Sequence, residues 1–346
     1  MSHTNRTRGF SSSRLPLVCL LPVVLLSTLA SPILGESNIV NFADMQAARQ
    51  RFDGAIDSSG YVYALGGDGI WGVTPVYSSV ERWNPATDVW SYVAPMSRGR
   101  DFFGSVFGGD GLLYAIGGGA GNLSACERYN PVTNSWSPIE DLPQPRTGVS
   151  AATDGEGRVY AIGGGPALGS PTKTVWRYES GHWLSVKDMN TARHTFGTAT
   201  DAQGRIYAIG GAYTNTVERY DPSTDTWYDL APLPGLPGTF DGSAAAYGGN
   251  NNSIYYFGGW NGSAILKDIL RYDIAGNSWS TWGQMSVAKG NLAAESAPDG
   301  NVYFFGGEGP AIHQSQAQMQ KLVVPEPATL SLVALGGLAM LYRRRR

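Results

Sequence analysis

Cysteine is nearly absent, with two in 346 residues, and histidine is scarce, with four. Charged side chains make up only 15%, against about 25% in an ordinary soluble domain. Each shortage excludes something. Cys19 falls in an N-terminal apolar stretch expected to be removed, so the mature chain keeps Cys126 alone and cannot form an internal disulfide. Packing must hold the fold. No Gly-x-Ser-x-Gly, His-Glu-x-x-His or Cys-x-x-Cys occurs, so the serine-elbow, zincin and dithiol chemistries lack their residues. A basic excess is missing as well. Residues 31–324 hold 27 acids against 18 basic groups, a net charge of −9. Such a body repels a phosphate backbone, and no nucleic-acid partner is expected. With 42% hydrophobic residues disorder is excluded, and without a Gly-X-Y period so is collagen.

What is present begins at the two ends. Residues 1–14 carry Arg6, Arg8 and Arg14 and no acid, residues 15–29 are mostly apolar, and Ala30, Ser31 and Gly35 are small. Residues 1–35 therefore read as a secretory signal peptide cleaved after Ala30 or Gly35. The apolar stretch is short and interrupted by Pro16 and Pro22, which argues against a retained membrane helix. At the other end Pro325-Glu326-Pro327 is followed by 15 apolar residues, 328–342, and then by Arg343 to Arg346. As a helix those residues reach roughly 22 Å, short of the roughly 30 Å hydrocarbon core unless the arginines snorkel. By the positive-inside rule both basic ends stay cytoplasmic and everything between them is exported. The tail at 325–346 resembles the PEP-CTERM sorting signal of Gram-negative bacteria. That resemblance implies a transient hold on the inner membrane, processing by an exosortase, and delivery to the cell surface or extracellular matrix. An unprocessed tail anchor is the alternative.

Between the ends lies one unit repeated six times. Glycine pairs begin at Gly66, Gly117, Gly163, Gly210, Gly258 and Gly306, at spacings of 51, 46, 47, 48 and 48 residues. Three residues before each stands a tyrosine: Tyr63, Tyr114, Tyr160, Tyr207, Tyr255 and Tyr303. Each lies in an apolar run, such as Tyr160-Ala161-Ile162, that ends at the glycines and reads as a buried strand. An Arg-aromatic pair follows at Arg82-Trp83, Arg128-Tyr129, Arg177-Tyr178, Arg219-Tyr220 and Arg271-Tyr272, then a turn, then Trp90, Trp136, Trp183, Trp227 or Trp279. A period near 50 points to a solenoid or propeller. This combination resembles the kelch motif over residues 37–324. The resemblance implies an all-β fold, a six-bladed propeller with four antiparallel strands per blade, ordered A to D from the axis outward. The sixth repeat stops after one further strand near residues 317–323. Ile39 and Met45 repeat the spacing of Trp90 and Met96, so residues 38–45 are expected to supply its missing outer strand and close the ring.

Alternating strands put the B-to-C and D-to-A loops on one face, where recognition is expected. The B-to-C loops at residues 68–79, 119–124, 165–173, 212–216, 260–266 and 308–316 vary most. Trp71, Tyr77, Asn122, Tyr213, Trp260, Asn261 and His313 are their candidate contacts, as aromatics beside amides suit sugars or peptides. A second recurrence, Arg49, Arg100, Arg146, Arg193 and Lys289, is broken only at Pro237. A basic ring around a channel is an anion trap, but a residue repeated so regularly reads better as a frame element bonded to loop carbonyls or an acid. Arg51, Asp101, His194, Thr195 and Asn291, which differ between repeats, are the better contacts.

Other motifs fail on context. Gly67-x-Gly69-x-x-Gly72 opens no helix, and residues 221–225 occupy a turn that Asx residues close rather than a calcium loop. One kelch-like relative, galactose oxidase, is a copper enzyme, yet only His194 and His313 here can share a site, and Cys126 sits where Val80 and Val217 stand in other repeats. A sialic acid mutarotase, also a kelch propeller, needs only an acid and a base, for which Asp101 and His194 are the pair. The expectation is an exported binding module, without cofactor or metal, for an extracellular polysaccharide or protein. The alternative is a secreted carbohydrate-active enzyme.

Overall fold

The computed structural model describes residues 1–2, 38–70, 72–119, 124–212, 214–235, 239–240, 242–310 and 314–326. The chain divides into Met1–Leu34 and Gly35–Arg346, and every described strand lies in the second unit.

Each repeat folds into one four-stranded antiparallel sheet. The first blade runs Asp53–Ile56, Val62–Leu65, Val80–Asn84, Val89–Val93; the second Gly104–Phe107, Leu113–Ile116, Cys126–Asn130, Ser135–Pro138. The third is Thr147–Thr153, Val159–Gly165, Val175–Glu179, His182–Ser185, and the fourth Gly197–Thr200, Ile206–Ile209, Val217–Asp221, Thr226–Leu230. The fifth is Ala244–Gly248, Ser253–Phe257, Asp268–Asp273, Ser278–Gln284. The sixth takes Ala293–Ser296, Val302–Phe305 and Met319–Leu322 from the end of the array and Ile39–Phe42 from its beginning. Ile39 faces Leu322, Asn41 faces Gln320 and Phe42 faces Met319. Val323 N donates to Asn38 O at 2.7 Å, and Met45 N to Ala317 O at 2.9 Å. The two ends of the array therefore share one sheet, as the repeat spacing required.

The inner strands touch one another in sequence, and the sixth touches the first, so the sheets form a closed ring. Each pair of adjacent blades encloses its own apolar core. Val62, Ala64, Trp83 and Trp90 of the first blade meet Tyr303, Phe305 and Met319 of the sixth. Second strands such as Val62–Leu65 and Ile206–Ile209 are buried throughout, since a neighbouring blade covers each face. That is why their sequences are continuous apolar runs rather than alternating ones.

Recurring side chains stitch the ring. In five blades the tryptophan Nε1 donates to a carbonyl just beyond the preceding blade's outer strand, from Trp90 to Ala43 O and from Trp227 to Lys187 O, at 2.8–2.9 Å. The tyrosine hydroxyls of Tyr114, Tyr160 and Tyr207 donate to an aspartate in their own A-to-B turn, at 2.8–2.9 Å. At the loop-face entry to the inner strands a belt of main-chain bonds runs once around the axis. Phe102 N donates to Arg51 O, Gly148 N to Phe102 O, Thr195 N to Gly148 O and Gly242 N to Thr195 O. Asn291 N to Gly242 O and Arg51 N to Asn291 O complete the circle, all six at 2.5–3.2 Å. All six residues have φ between 49° and 65°. This left-handed conformation is costly for side chains other than glycine, so the belt holds four residues where the isolated chain resists going.

Candidate functional site

The recurrent arginines are frame elements. Arg49 gives Nη1 to Gly66 O and Ser79 O and pairs with Glu81 at 2.8 Å. Arg100 does the same with Gly117 O, Ala125 O and Glu127, and Arg193 with Gly210 O, Thr216 O and Glu218. Each glutamate also accepts backbone N–H groups of the D-to-A loop, as at Gln46, Ser97 and Asn190. The partners were visible as a Glu-Arg-aromatic triple that the sequence reading overlooked. Where the glutamate is replaced the ion pair goes with it: Arg146 stacks on Trp176, 4.4 Å from the ring centre, while Lys289 keeps the two equivalent carbonyls, Gly306 O and Gln318 O. Strand register also corrects the exception. Tyr255 faces Ala246 as Tyr207 faces Ala199, so Phe240, not Pro237, occupies the arginine position, and the fifth blade's loop is three residues longer. No anion trap exists at these positions.

At the mouth of the channel the belt carries polar groups. Arg51 pairs with Asp68 at 3.0 Å, both nearly buried, and Asn291 Nδ2 donates to Glu308 at 3.3 Å. Burial pushes the Asp68 and Asp101 carboxyls upward against the pull of Arg51, and burial lowers Arg51 itself. The mouth is thus acidic, with three carboxyls around one guanidinium. His194 is buried, with Nε2 accepting from Gly169 N at 3.1 Å and Nδ1 beside Thr195 Oγ1 at 2.9 Å. It clamps a loop, and it lies two blades from Asp101 with Thr147 between. Tyr77 packs under Arg49, 5.5 Å from its guanidinium. Asn261 closes its own turn onto Ser263 and Ala264, while Trp260 beside it is 41% exposed. Trp71, Asn122, Tyr213, His313 and Pro327 lie outside the described residues, whereas Pro325 and Glu326 follow directly on the sixth blade. Ile70, Val73 and Leu168, also on B-to-C loops, stand exposed, Val73 at 75%. Cys126 is buried on a C strand, its thiol pushed up to about 12 by burial.

A cavity of about 250 Å³ lies on the axis, walled by all six inner strands. Among the described residues, its charged lining residues are Asp53 and Glu295. Asp53 accepts Gly54 N at 3.0 Å and Ser105 N from the next blade. Burial raises Asp53 to about 7, and burial with the nearby Asp53 charge holds Glu295 well above the carboxylate range. The sequence reading missed both. Among the described residues no three His, Cys, Asp or Glu side chains cluster to hold a metal.

Comparison with known proteins agrees with this geometry. The KLHDC2/KLHL20/DRC7 Kelch-repeats domain matches residues 105–307, and the Kelch motif matches residues 58–97. The chain belongs to the kelch-repeat family. This kelch propeller also carries a PEP-CTERM protein-sorting motif at residues 323–346. It is similar to the human Kelch repeat and BTB domain-containing protein 12, 27% identical over 117 residues. That match covers 31% of this chain and 18% of the human protein. The solved structure of YjhT is similar in fold, with a TM-score of 0.66 and 19% identity, over 80% of this chain and 95% of that one. No described helix is long and apolar enough to cross a membrane, and the apolar tail at 328–342 lies outside the described residues.

Proposed function

We propose that this kelch propeller is a protein-binding module exported across the inner membrane, its signal peptide and PEP-CTERM tail both removed, and that its loop face receives the partner. One observation carries the reading: the aliphatic Ile70, Val73 and Leu168 and the indole of Trp260 are exposed on the B-to-C loops, the same loop face that carries the carboxyls near Arg51. Exposed aliphatic groups gain from contact with a protein surface and little from sugar hydroxyls. The acidic rim adds charge complementarity toward a basic partner surface. Polysaccharide is the second reading, supported by Trp260 beside Asn261. An enzyme is disfavoured because both nitrogens of His194 are engaged within the frame.

The test compares tail-deleted wild type with a Val73→Asp, Trp260→Ala variant on arrays of basic, apolar-containing peptides and on a glycan array. Saturable peptide binding that drops at least tenfold in the variant is the expected result. Saturable binding to glycans alone overturns the protein reading.

A further inference from the structure

The sorting motif begins inside the last blade. Its match starts at residue 323, yet Val323 N donates to Asn38 O at 2.7 Å, and Val324 is 2% exposed in the core shared by the fifth and sixth blades. Two asparagines fix the main chain there. Val324 N donates to Asn301 Oδ1 at 2.8 Å, and Val324 O accepts Asn250 Nδ2 at 3.2 Å. Asn301 stands just before the second strand of its blade, where Tyr61, Leu112, Arg158 and Arg205 stand in the first four. In a repeat array the frame needs only what recurs, so this departure belongs to what is peculiar to the sixth blade, the exit of the chain.

The exit has a side. Asn250 and Asn301 lie in the A-to-B turns of the fifth and sixth blades, and Met319–Leu322 runs from its B-to-C loop toward those turns. The chain thus leaves on the face opposite the B-to-C loops. From Val324 only Pro325, Glu326 and Pro327 lead to the apolar run at 328–342. Three residues span at most about 11 Å, and proline at two of the three stiffens the link. A folded body the length of residues 38–324 has a radius of gyration of roughly 19 Å. So short a link does not let it turn over.

We propose that, while the tail holds the chain in the inner membrane, the propeller stands with its A-to-B turn face against the bilayer and its loop face directed away. This rests on the reading of the tail as a membrane-held sorting signal, and adds which surface meets lipid and which stays open to a partner. Arginines on the turn face are paired with turn aspartates, Arg158 with Asp154 and Arg205 with Asp201. The tether, rather than attraction to anionic lipid, therefore sets the orientation.

The experiment is thiol labelling in spheroplasts of a host without an exosortase, where the tail stays in place. Cys126 is buried and Cys19 falls in the signal peptide, so introduced cysteines report alone. Ala86→Cys and Ala275→Cys place one on the exposed C-to-D turns of the first and fifth blades, on either side of the exit and on its face. Val73→Cys and Ala264→Cys place one on the exposed loops of the same two blades. The reagent is a maleimide carried on a large polyethylene glycol. Each turn site is expected to label at least tenfold more slowly in membrane-held protein than in the same variant ending at Glu326, while the loop sites keep their rates. Insertion of about twenty Gly-Ser residues between Val324 and Pro325, reaching roughly 25 Å, restores the turn sites. Membrane-held protein whose turn and loop sites label alike, or protection that survives the insertion, overturns the orientation alone. Full-length protein recovered in the soluble fraction overturns the orientation and the sorting reading together.

Discussion

Removing Glu218 strands Arg193. Neither side chain is exposed, and they pair at 2.5 Å. Glu218 also accepts Asn190 N at 2.6 Å and Thr191 N at 3.0 Å, so the carboxylate ties the D-to-A loop to the third strand of its blade. Burial already lowers the Arg193 pKa, and the charge of Glu218 opposes that. Glu218→Ala leaves a buried guanidinium with only Gly210 O, Thr216 O and Thr216 Oγ1. Breaking a buried pair from one side costs about 3–5 kcal/mol. In a domain of this size a loss of about 4 kcal/mol lowers Tm by roughly 7 °C. The double variant Arg193→Met, Glu218→Leu removes both charges, following the fifth blade, where Leu270 occupies the glutamate position. It is expected to cost about half as much as Glu218→Ala alone, a coupling of several kcal/mol between the sites. Urea unfolding of wild type, Arg193→Met, Glu218→Leu and the double variant measures the cycle, with Glu218→Ala alongside. Additive losses, or a Glu218→Ala loss within about 0.5 kcal/mol, would refute the assignment of these arginines to the frame.

The hydrogen-bonded belt gives a second test. Gly148 has φ +65°, and a Cβ there would stand 2.9 Å from that of His194. Gly148→Ala is expected to destabilise by about 1–3 kcal/mol, and an unchanged urea midpoint would count against the belt. The cavity gives a third. Asp53 is raised to about 7 in the fold, above its unfolded value near 3.9, so the folded state binds the extra proton between these values. As far as this group is concerned, stability is therefore greatest below about pH 3.9 and falls as pH rises toward about 7, levelling above it, by at most about 4 kcal/mol. Urea midpoints at pH 5 and pH 7.5 in chelator should converge in Asp53→Asn, and an undiminished slope in that variant would assign the effect elsewhere.

The repeated residues were legible because each meets a partner at a fixed offset. Trp227 reaches a carbonyl 40 residues earlier in the neighbouring blade, and Tyr207 an aspartate six residues away in its own turn. Such pairings recur from blade to blade and surface as a period. The N-terminal closing strand was legible for a related reason, since the sixth repeat lacked an element that the first residues could supply. Glu81, Glu127 and Glu218 escaped notice because one member of an ion pair looks like an ordinary strand residue until its partner is sought. Asp53 and Glu295 sit at opposite ends of the array, and only ring closure brings them to either side of Gly54. The Pro237 assignment failed because loop length, unlike strand register, drifts between repeats.

Ring closure by the N-terminal strand is tested most directly by joining Asn41 to Gln320. These residues face each other across the antiparallel pair, with Gln320 Nε2 donating to Asn41 Oδ1 at 2.8 Å. The flanking main-chain bond from Val323 to Asn38 places them at a non-hydrogen-bonded position, where Cα atoms approach to about 4.5 Å, within reach of a disulfide. In mature protein carrying Asn41→Cys and Gln320→Cys, mild oxidation is expected to yield a monomer lighter by two hydrogens, with residues 41 and 320 linked in one tryptic peptide pair. Free thiols, or a bond formed only between molecules, would contradict the closed ring.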